Sequence, residues 1–154
     1  MSAVRSLRPD DIPQCEAILR GLPEWFGLEA PLLQFIDDLA RLPGLVAVEG
    51  DDVLGFAVLH DYSAEASELH VLAVRRDRHH QDIGRALLKR AAADLAARGV
   101  RLLRVKTLGP SSGDPNYAKT RAFYLAMGFL PLEETTAFWG QDQPALIMVR
   151  PLSA

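Results

Sequence analysis

The chain has 154 residues, 49% of them hydrophobic and 24% charged, which is the composition of a soluble globular domain and not of a disordered or fibrous protein. No apolar run approaches the roughly 20 residues that cross a bilayer, and the N-terminus lacks a signal-peptide pattern. The single cysteine, Cys15, excludes an internal disulfide and a zinc site built from several cysteines. We therefore expect one domain over residues 1–154 of a cytoplasmic protein that binds no membrane.

Charge is distributed unevenly along the chain. Residues 1–74 carry a net charge of -9, residues 75–121 of +8 and residues 122–154 of -2. A basic segment inside an acidic protein indicates an anionic ligand, although arginines on solvated helix faces explain the charge equally well. Nucleic acid is the less favoured partner, because the basic segment has almost no aromatic residues to stack on bases.

The first half of the chain reads as a strand, two helices and a hairpin. Residues 4–7 resemble a short edge strand, and a helix follows over residues 9 to about 22, with Cys15 on its apolar side. A loop over residues 21–27 leads to a second helix after Pro31. Two apolar runs then flank Gly50-Asp51-Asp52, which is a hairpin signature.

The second half alternates strands and helices. Strands are predicted over residues 67–74 and 100–108, a helix over about 83–98, and a helix that begins at the N-cap Asp114 and ends at Gly128. Two last strands, over residues 129–136 and 144–149, form an antiparallel pair. The order β-α-α-β-β-β-α-β-α-β-β predicts an α/β fold with a mixed central sheet and helices on both faces.

The strand over residues 67–74 is followed by an arginine-rich turn and a helix N-terminus. Period two places Glu68, His70, Leu72 and Val74 on one face of that strand. Unpaired backbone N–H groups at the start of the next helix suit a phosphate. The turn is neither a P-loop nor a Rossmann fingerprint, because Gly84 is its only glycine. A strand-turn-helix connection that is rich in arginine but binds no ligand explains these residues as well as a phosphate site does.

Two segments resemble the signatures of the GNAT N-acetyltransferase superfamily. Ala73-Val74, followed ten residues later by Gly84 and then by Arg-Ala-Leu-Leu, is similar to the acyl-CoA-binding motif. Residues 120–129, Thr-Arg-Ala-Phe-Tyr-Leu-Ala-Met-Gly-Phe, are similar to the helix that ends in Phe-Tyr-x-x-x-Gly-Phe. The motifs occur in the family's order, and the predicted elements match it over nearly the whole chain. The resemblance implies a GNAT-like, mostly antiparallel central sheet.

The sequence departs from the family pattern at the first motif. Where relatives have Arg/Gln-x-x-Gly-x-Gly/Ala, residues 79–84 read His-His-Gln-Asp-Ile-Gly, so Asp82 stands at a position where glycine is usual. A frame starting at Gln81 fits the formula but displaces Val74. As the expected N-cap of the following helix, the Asp82 carboxylate would compete with a pyrophosphate for the same N–H groups, and the three arginines would offset its charge. In the second motif, Tyr117 stands where relatives often have asparagine.

The resemblance implies transfer of an acetyl group from acetyl-CoA to a primary amine of a small molecule or peptide, by direct attack in a ternary complex and without a metal. The alternative is a non-catalytic acyl-CoA-binding or sensing module, which Asp82 favours. Homodimers are common in such folds. The residues implied to contact acetyl-CoA are Leu72, Ala73, Val74, His79, His80, Gln81, Asp82, Ile83, Gly84, Arg85, Tyr117, Arg121 and Tyr124.

The resemblance also implies the catalytic groups. Tyr124 matches the tyrosine that protonates the leaving thiolate, and the alternative for it is a buried core tyrosine. Glu68 matches a glutamate that acts as a base through water, with His70 in reserve. The acceptor is expected beside the first two helices, near Glu24, Trp25, Phe26 and Glu29. These side chains either hold a cationic amine or pack the loop, and the same two alternatives apply to Trp139.

Overall fold

The computed structural model describes residues 2–153. Its strands are β1 (Ala3–Ser6), β2 (Gly44–Glu49), β3 (Asp52–Asp61), β4 (Ala66–Val74), β5 (Leu102–Leu108), β6 (Leu130–Thr135) and β7 (Ala145–Pro151). Its helices are α1 (Ile12–Arg20), α2 (Pro23–Phe26), α3 (Glu29–Arg41), α4 (Ile83–Ala97) and α5 (Pro115–Ala126). The predicted element order is confirmed, apart from the one-turn helix α2 within the expected loop.

The seven strands form one mixed sheet in the order β1-β2-β3-β4-β5-β7-β6. Every neighbouring pair is antiparallel except β4 and β5, which run parallel with α4 as the crossover between them. This confirms the mostly antiparallel sheet, including the antiparallel pair formed by the last two strands.

Helices cover both faces of the sheet, as expected. Residues of α1 and α3, with Cys15 fully buried among them, pack on one face. On α4 the sequence spaces apolar residues at i, i+4 to form a ridge of Ile83, Leu87, Ala91 and Leu95, and this ridge packs on the other face together with the second half of α5. Because the side chains of β3 alternate between the two clusters, this strand joins both halves of the core. Among the described residues, no helix has both the length and the apolarity of a membrane span.

Pro31 and Asp114 mark the N-termini of helices α3 and α5. Helix α3 begins at Glu29, two residues before the expected start, and Pro31 lies in its first turn, where a missing N–H costs nothing. Asp114 is confirmed as the N-cap of α5, because its side chain accepts a hydrogen bond of 2.9 Å from the N–H of Asn116.

The expected alternation of β4 is wrong at His70. Val71 pairs with Val58 and Leu69 pairs with Leu59, so His70 is the extra residue of a β-bulge. The bulge reverses the alternation: His70 faces α3, whereas Leu72 and the residues in register with it pack against the α4 cluster. Glu68 and His70 therefore do not share a face with Leu72 and Val74.

Strands β4 and β5 separate halfway along their length. Their parallel ladder runs from Ala66 paired with Leu102 to Leu69 paired with Val105, and it stops there. Beyond this point β4 stays paired with β3 on its other side, and β5 stays paired with β7. The backbone groups of residues 71–74 that face β5 consequently have no strand partner.

Candidate active site

A cavity of about 1070 Å³ fills the gap between the separated strands. Residues 68–74 of β4 and 105–108 of β5 form two of its walls, and α2, α3, the start of α4 and one side of α5 complete it. The cavity collects all the predicted site residues except Glu29, Gln81 and Arg121. Its volume is that of a typical small-molecule site.

The N-terminus of α4 lies at one end of this cavity. The first hydrogen bond of the helix joins the N–H of Ala86 to the carbonyl of Asp82 at 3.0 Å, so the N–H groups of residues 83–85 precede the helical ladder. Gly84 lies against Phe123 of α5, where a Cβ atom would come within 3.4 Å of the ring. The two helices thus approach each other beside a group of free N–H donors.

Asp82 does not cap α4 with its side chain, so the expected side-chain N-cap, on which competition with a pyrophosphate was based, is wrong. Its side chain makes no capping hydrogen bond, is 85% exposed and lies 3.7 Å from Arg85. Its backbone φ is +62°, in the left-handed region that glycine adopts without cost and aspartate tolerates. This conformation explains why glycine suits the position.

The three arginines of the turn are each paired with a carboxylate. Arg75 pairs with Asp77 at 2.7 Å, Arg76 with Glu24 at 2.6 Å and Arg78 with Glu49 at 3.1 Å. They therefore do not offset the charge of Asp82. Arg76 and Arg78 line the cavity, so an anion that binds either of them there must compete with its carboxylate partner, Glu24 or Glu49.

Three of the predicted acyl-CoA contacts, His79, Arg121 and Tyr117, already have backbone partners. The Nε2 of His79 donates to the carbonyl of Val74 at 2.8 Å, which fixes the turn to the end of β4. Arg121 donates to the carbonyl of Leu108 at 2.7 Å and does not line the cavity. Arg121 therefore anchors α5 to β5.

Tyr124 lies at the centre of the cavity wall, between the rings of Phe123 and Phe129. The residue is 6% exposed, and its hydroxyl has no hydrogen-bond partner among residues 2–153. Burial raises the pKa of Tyr124 above its ordinary value, so its hydroxyl keeps its proton at neutral pH. The side chain is a protonated donor with no acceptor in the part of the chain that the structure describes.

Glu68 is buried and surrounded by cationic and polar groups. Arg104 contacts one carboxylate oxygen at 2.8 Å, while Tyr62 at 3.1 Å and Lys106 at 3.8 Å contact the other. Burial opposes the ionisation of Glu68, but the imidazole of His70 and the two cations outweigh it and hold the pKa of Glu68 below its ordinary value. A carboxylate with a lowered pKa is a weak base.

His70 lies between two carboxylates at the bulge of β4. Its Nε2 donates to Asp38 of α3 at 2.7 Å, and its Nδ1 is 3.7 Å from Glu68. Contact with Glu68 raises the pKa of His70, burial lowers it, and Asp38 raises it again, so that the net shift is upward. The ring lines the cavity and packs against Phe35.

Helix α2 is attached to both rims of the cavity. The indole of Trp25 donates to Thr120 of α5 at 3.0 Å, and the hydroxyl of Tyr117 donates to the carbonyl of Trp25 at 2.9 Å. On the other rim Glu24 pairs with Arg76, and Glu29 lies 3.7 Å from Arg20. Both acidic residues considered as ligands for a cationic amine are therefore paired.

Asp38 and Lys106 are site residues that the sequence analysis missed. Asp38 interrupts the apolar face of α3 and is 5% exposed, so an acidic residue at a core position was the available signal. Lys106 alternates with apolar residues of β5, a pattern that also fits a solvated strand face. In the described part of the chain, no cluster of three or more potential ligands resembles a metal site.

Comparison with protein families gives one model, described as the acetyltransferase (GNAT) domain, which matches residues 42–131 and hence more than half of the chain. The matched segment contains β4, the turn, α4, β5 and α5, which together build the cavity. The chain belongs to the GNAT acetyltransferase family. Comparison with curated protein sequences gives no significant match.

Solved structures share the GNAT fold over the full length of the chain. A GNAT-family protein from Desulfovibrio desulfuricans is 24% identical with a TM-score of 0.82, covering 98% of this chain and 99% of that one. The ribosomal-protein-S18-alanine N-acetyltransferase from Escherichia coli is 22% identical with a TM-score of 0.80, covering 100% and 96%. The PaiA N-acetyltransferase from Thermoplasma acidophilum, solved with coenzyme A, is 18% identical with a TM-score of 0.77, covering 98% and 99%.

The GNAT family match and the candidate acceptor region cover different parts of the chain. Helices α1, α2 and α3 precede residue 42, where the family model begins, yet α2 and α3 supply Trp25, Phe35 and Asp38 to the site. The segment that the family model matches therefore supplies most of the cavity walls, and helices α2 and α3, which precede it, complete the end near His70.

Proposed function

We propose that this GNAT acetyltransferase transfers the acetyl group of acetyl-CoA to a primary amine within a ternary complex. The proposal rests mainly on Tyr124, a buried residue of the cavity wall whose hydroxyl has no hydrogen-bond partner among residues 2–153, in a cavity that leads to the N-terminus of α4. Such a group is suited to protonate a thiolate as it leaves.

The free backbone groups suit the two ends of the acetyl-CoA substrate. The edge of β4 that faces the gap, residues 71–74, lacks a strand partner, and apart from the Val74 carbonyl held by His79 its backbone groups can hydrogen-bond the amide groups of the pantetheine arm in the manner of an added strand. The free N–H groups of residues 83–85, at the positive end of the α4 dipole, suit the pyrophosphate. An N–H of the β4 edge would also polarise the thioester carbonyl.

His70 is the better of the two candidate bases. Both residues line the cavity, but the side chain of His70 is 21% exposed and that of Glu68 only 1%. The raised pKa of His70 is also closer to that of an amine, whereas the pKa of Glu68 is lowered. In the proposed reaction the amine nitrogen attacks the thioester carbon and a C–N bond forms. His70 takes the proton from nitrogen, the C–S bond breaks, and Tyr124 gives its proton to sulfur.

The alternative of a non-catalytic acyl-CoA-binding module rested on Asp82. Since the Asp82 carboxylate points into solvent and not toward the N–H groups of α4, this observation no longer favours loss of turnover. The unpaired Tyr124 hydroxyl favours the enzyme, because a binding module has no use for a buried proton donor.

The test is an acetyl-CoA-dependent thiol-release screen over a library of amines, with mass detection of the N-acetylated product. We expect thiol release that depends on the amine and yields one acetylated product per thiol. A protein that binds coenzyme A in calorimetric titration but acetylates no amine would support the binding module. A protein that does not bind coenzyme A would overturn both readings.

A further inference from the structure

Two cations contact the carboxylate of Glu68 near α3, and one of them, Lys106, lines the cavity. Arg104 lies 2.8 Å from Glu68, and Lys106 lies 3.8 Å from it on the other carboxylate oxygen. The guanidinium of Arg104 also stacks 4.6 Å from the ring centroid of Tyr62. The single negative charge of Glu68 balances one of the two cations, so the three side chains together carry one net positive charge.

Lys106 is the cation whose bonding is incomplete. Its ammonium group lies 4.5 Å from the ring centroid of Phe138, and its side chain is only 20% exposed. Its contact with Glu68 is too long for a hydrogen bond, and none of its three N–H donors makes one to residues 2–153. Lys106 also lines the cavity, so these donors are available to a molecule inside it.

We propose that the acceptor is an amino acid, whose amine lies at His70 and whose carboxylate binds Lys106. This inference rests on the proposed acetyl transfer and names the substrate class of the same site. A carboxylate supplies the negative charge that the cluster lacks and accepts charge-assisted hydrogen bonds from the ammonium group.

The spacing of the two groups fits a short amino acid. His70 Nδ1 and Lys106 Nζ lie 3.7 Å and 3.8 Å from the same oxygen of Glu68, so they are at most about 7.5 Å apart. In a 2-amino acid the amine nitrogen and a carboxylate oxygen are three bonds, or about 3 to 4 Å, apart. With a hydrogen bond of roughly 2.9 Å at each end, such a molecule is long enough to contact both side chains at once.

The remaining walls of this end are apolar. Phe26 and Phe35 pack edge to face at 5.7 Å between ring centroids, and Leu28 and Trp139 line the same cavity while staying partly exposed. These side chains suit an aliphatic or aromatic substituent on the acceptor. We therefore assign an amino acid with an apolar side chain.

The acidic groups nearby do not offer a second site for a polycationic acceptor. Asp38 accepts from His70 and also contacts Arg41 and Gln34, and Glu24 is paired with Arg76. A molecule with several ammonium groups would have to break these pairs and would also meet Lys106. The charges therefore select for an acceptor with one amine and one acid.

The test compares amino acids with their amides as acceptors for the full-length protein. L-Phenylalanine and L-leucine are each paired with the carboxamide, which keeps the amine and side chain and removes the charge of the carboxylate. We expect kcat/KM to be at least about tenfold higher for the acids, the scale of one charge-assisted hydrogen bond. The amide's amine is the less basic one, so amine protonation works against this result.

Lys106→Met provides the matched variant, because methionine keeps the apolar stem and removes the ammonium group. We expect it to raise KM for the acids and to leave the amides nearly unchanged. Lys89→Met is the control, since Lys89 is exposed on α4 and does not line the cavity.

Two outcomes separate failure of this inference from failure of the proposed function. If the amides are acetylated as efficiently as the acids, the carboxylate site is wrong and the acetyltransferase stands. If no acceptor is acetylated, calorimetric titration of the coenzyme A-saturated protein still compares the two ligands. Tighter binding of acids than amides, abolished by Lys106→Met, supports the carboxylate site, and equal or absent binding overturns it.

Discussion

Asp38 of α3 accepts a hydrogen bond of 2.7 Å from the imidazole of His70, the extra residue in the bulge of β4. This bond connects the N-terminal helices to the strand that forms one wall of the cavity. It also fixes the tautomer of a neutral His70, because a carboxylate only accepts and the Nε2 atom must carry the proton. The Nδ1 atom is then left as the basic one.

Replacing Asp38 with asparagine tests this arrangement. The variant removes a negative charge beside the imidazolium, so the pKa of His70 falls and the acidic limb of the kcat/KM profile moves to lower pH. The maximal rate decreases because the base is weaker. Asp37→Asn is the control, since Asp37 is exposed on the same helix and pairs only with Arg41. An unchanged acidic limb in Asp38→Asn would remove Asp38 from the role of positioning His70.

The raised pKa of His70 predicts how stability depends on pH. The imidazolium is favoured by the fold, so its contribution is complete below the ordinary pKa of 6.5 and is lost as pH rises through the folded-state pKa. Denaturation of wild type and His70→Gln should therefore differ more at about pH 5.5, where Asp38 and Glu68 remain ionised, than at about pH 8.5. A difference that is the same at both pH values contradicts the raised pKa.

Tyr124→Phe tests the proton donor. The hydroxyl has no partner among the described residues, so its removal leaves none of their polar groups unsatisfied and should hardly change the free energy of unfolding. If it protonates the thiolate, kcat falls by roughly 10²-fold while the affinity for coenzyme A is kept. Tyr117→Phe is the comparison, because its hydroxyl donates to Trp25 and we expect KM to change more than kcat. A Tyr124→Phe enzyme with unchanged kcat, when chemistry limits the rate, disproves the assignment.

Asp82 provides a test of backbone strain at the start of α4. Its φ of +62° suits glycine, and its carboxylate caps nothing, so Asp82→Gly should be at least as stable as the wild type. Asp82→Ala removes the same carboxylate but keeps a Cβ atom in the left-handed conformation, and we expect a loss of about 1 kcal/mol. Chemical denaturation of the three proteins separates charge from conformation. Equal losses in both variants would mean that the carboxylate itself stabilises the helix.

The sequence predicted what depends on local pattern and missed what depends on long-range register. The ridge of α4 and the Asp114 cap follow from spacing alone, and both are confirmed. The bulge at His70 does not, because it is set by how β4 pairs with β3 and not by the residues of β4. The approach of Lys106 to Glu68 likewise depends on the parallel register of β4 and β5, which no local motif encodes.

The central claim is that acetyl-CoA binds in the gap between β4 and β5 with its pyrophosphate at the start of α4. Amide hydrogen exchange, measured by mass spectrometry with and without coenzyme A, tests this claim most directly. We expect slower exchange in peptides that contain residues 71–74 and 83–85, whose free N–H groups would gain partners, and no change in β6, which forms the far edge of the sheet. Unchanged exchange in those two segments at saturating coenzyme A would contradict it.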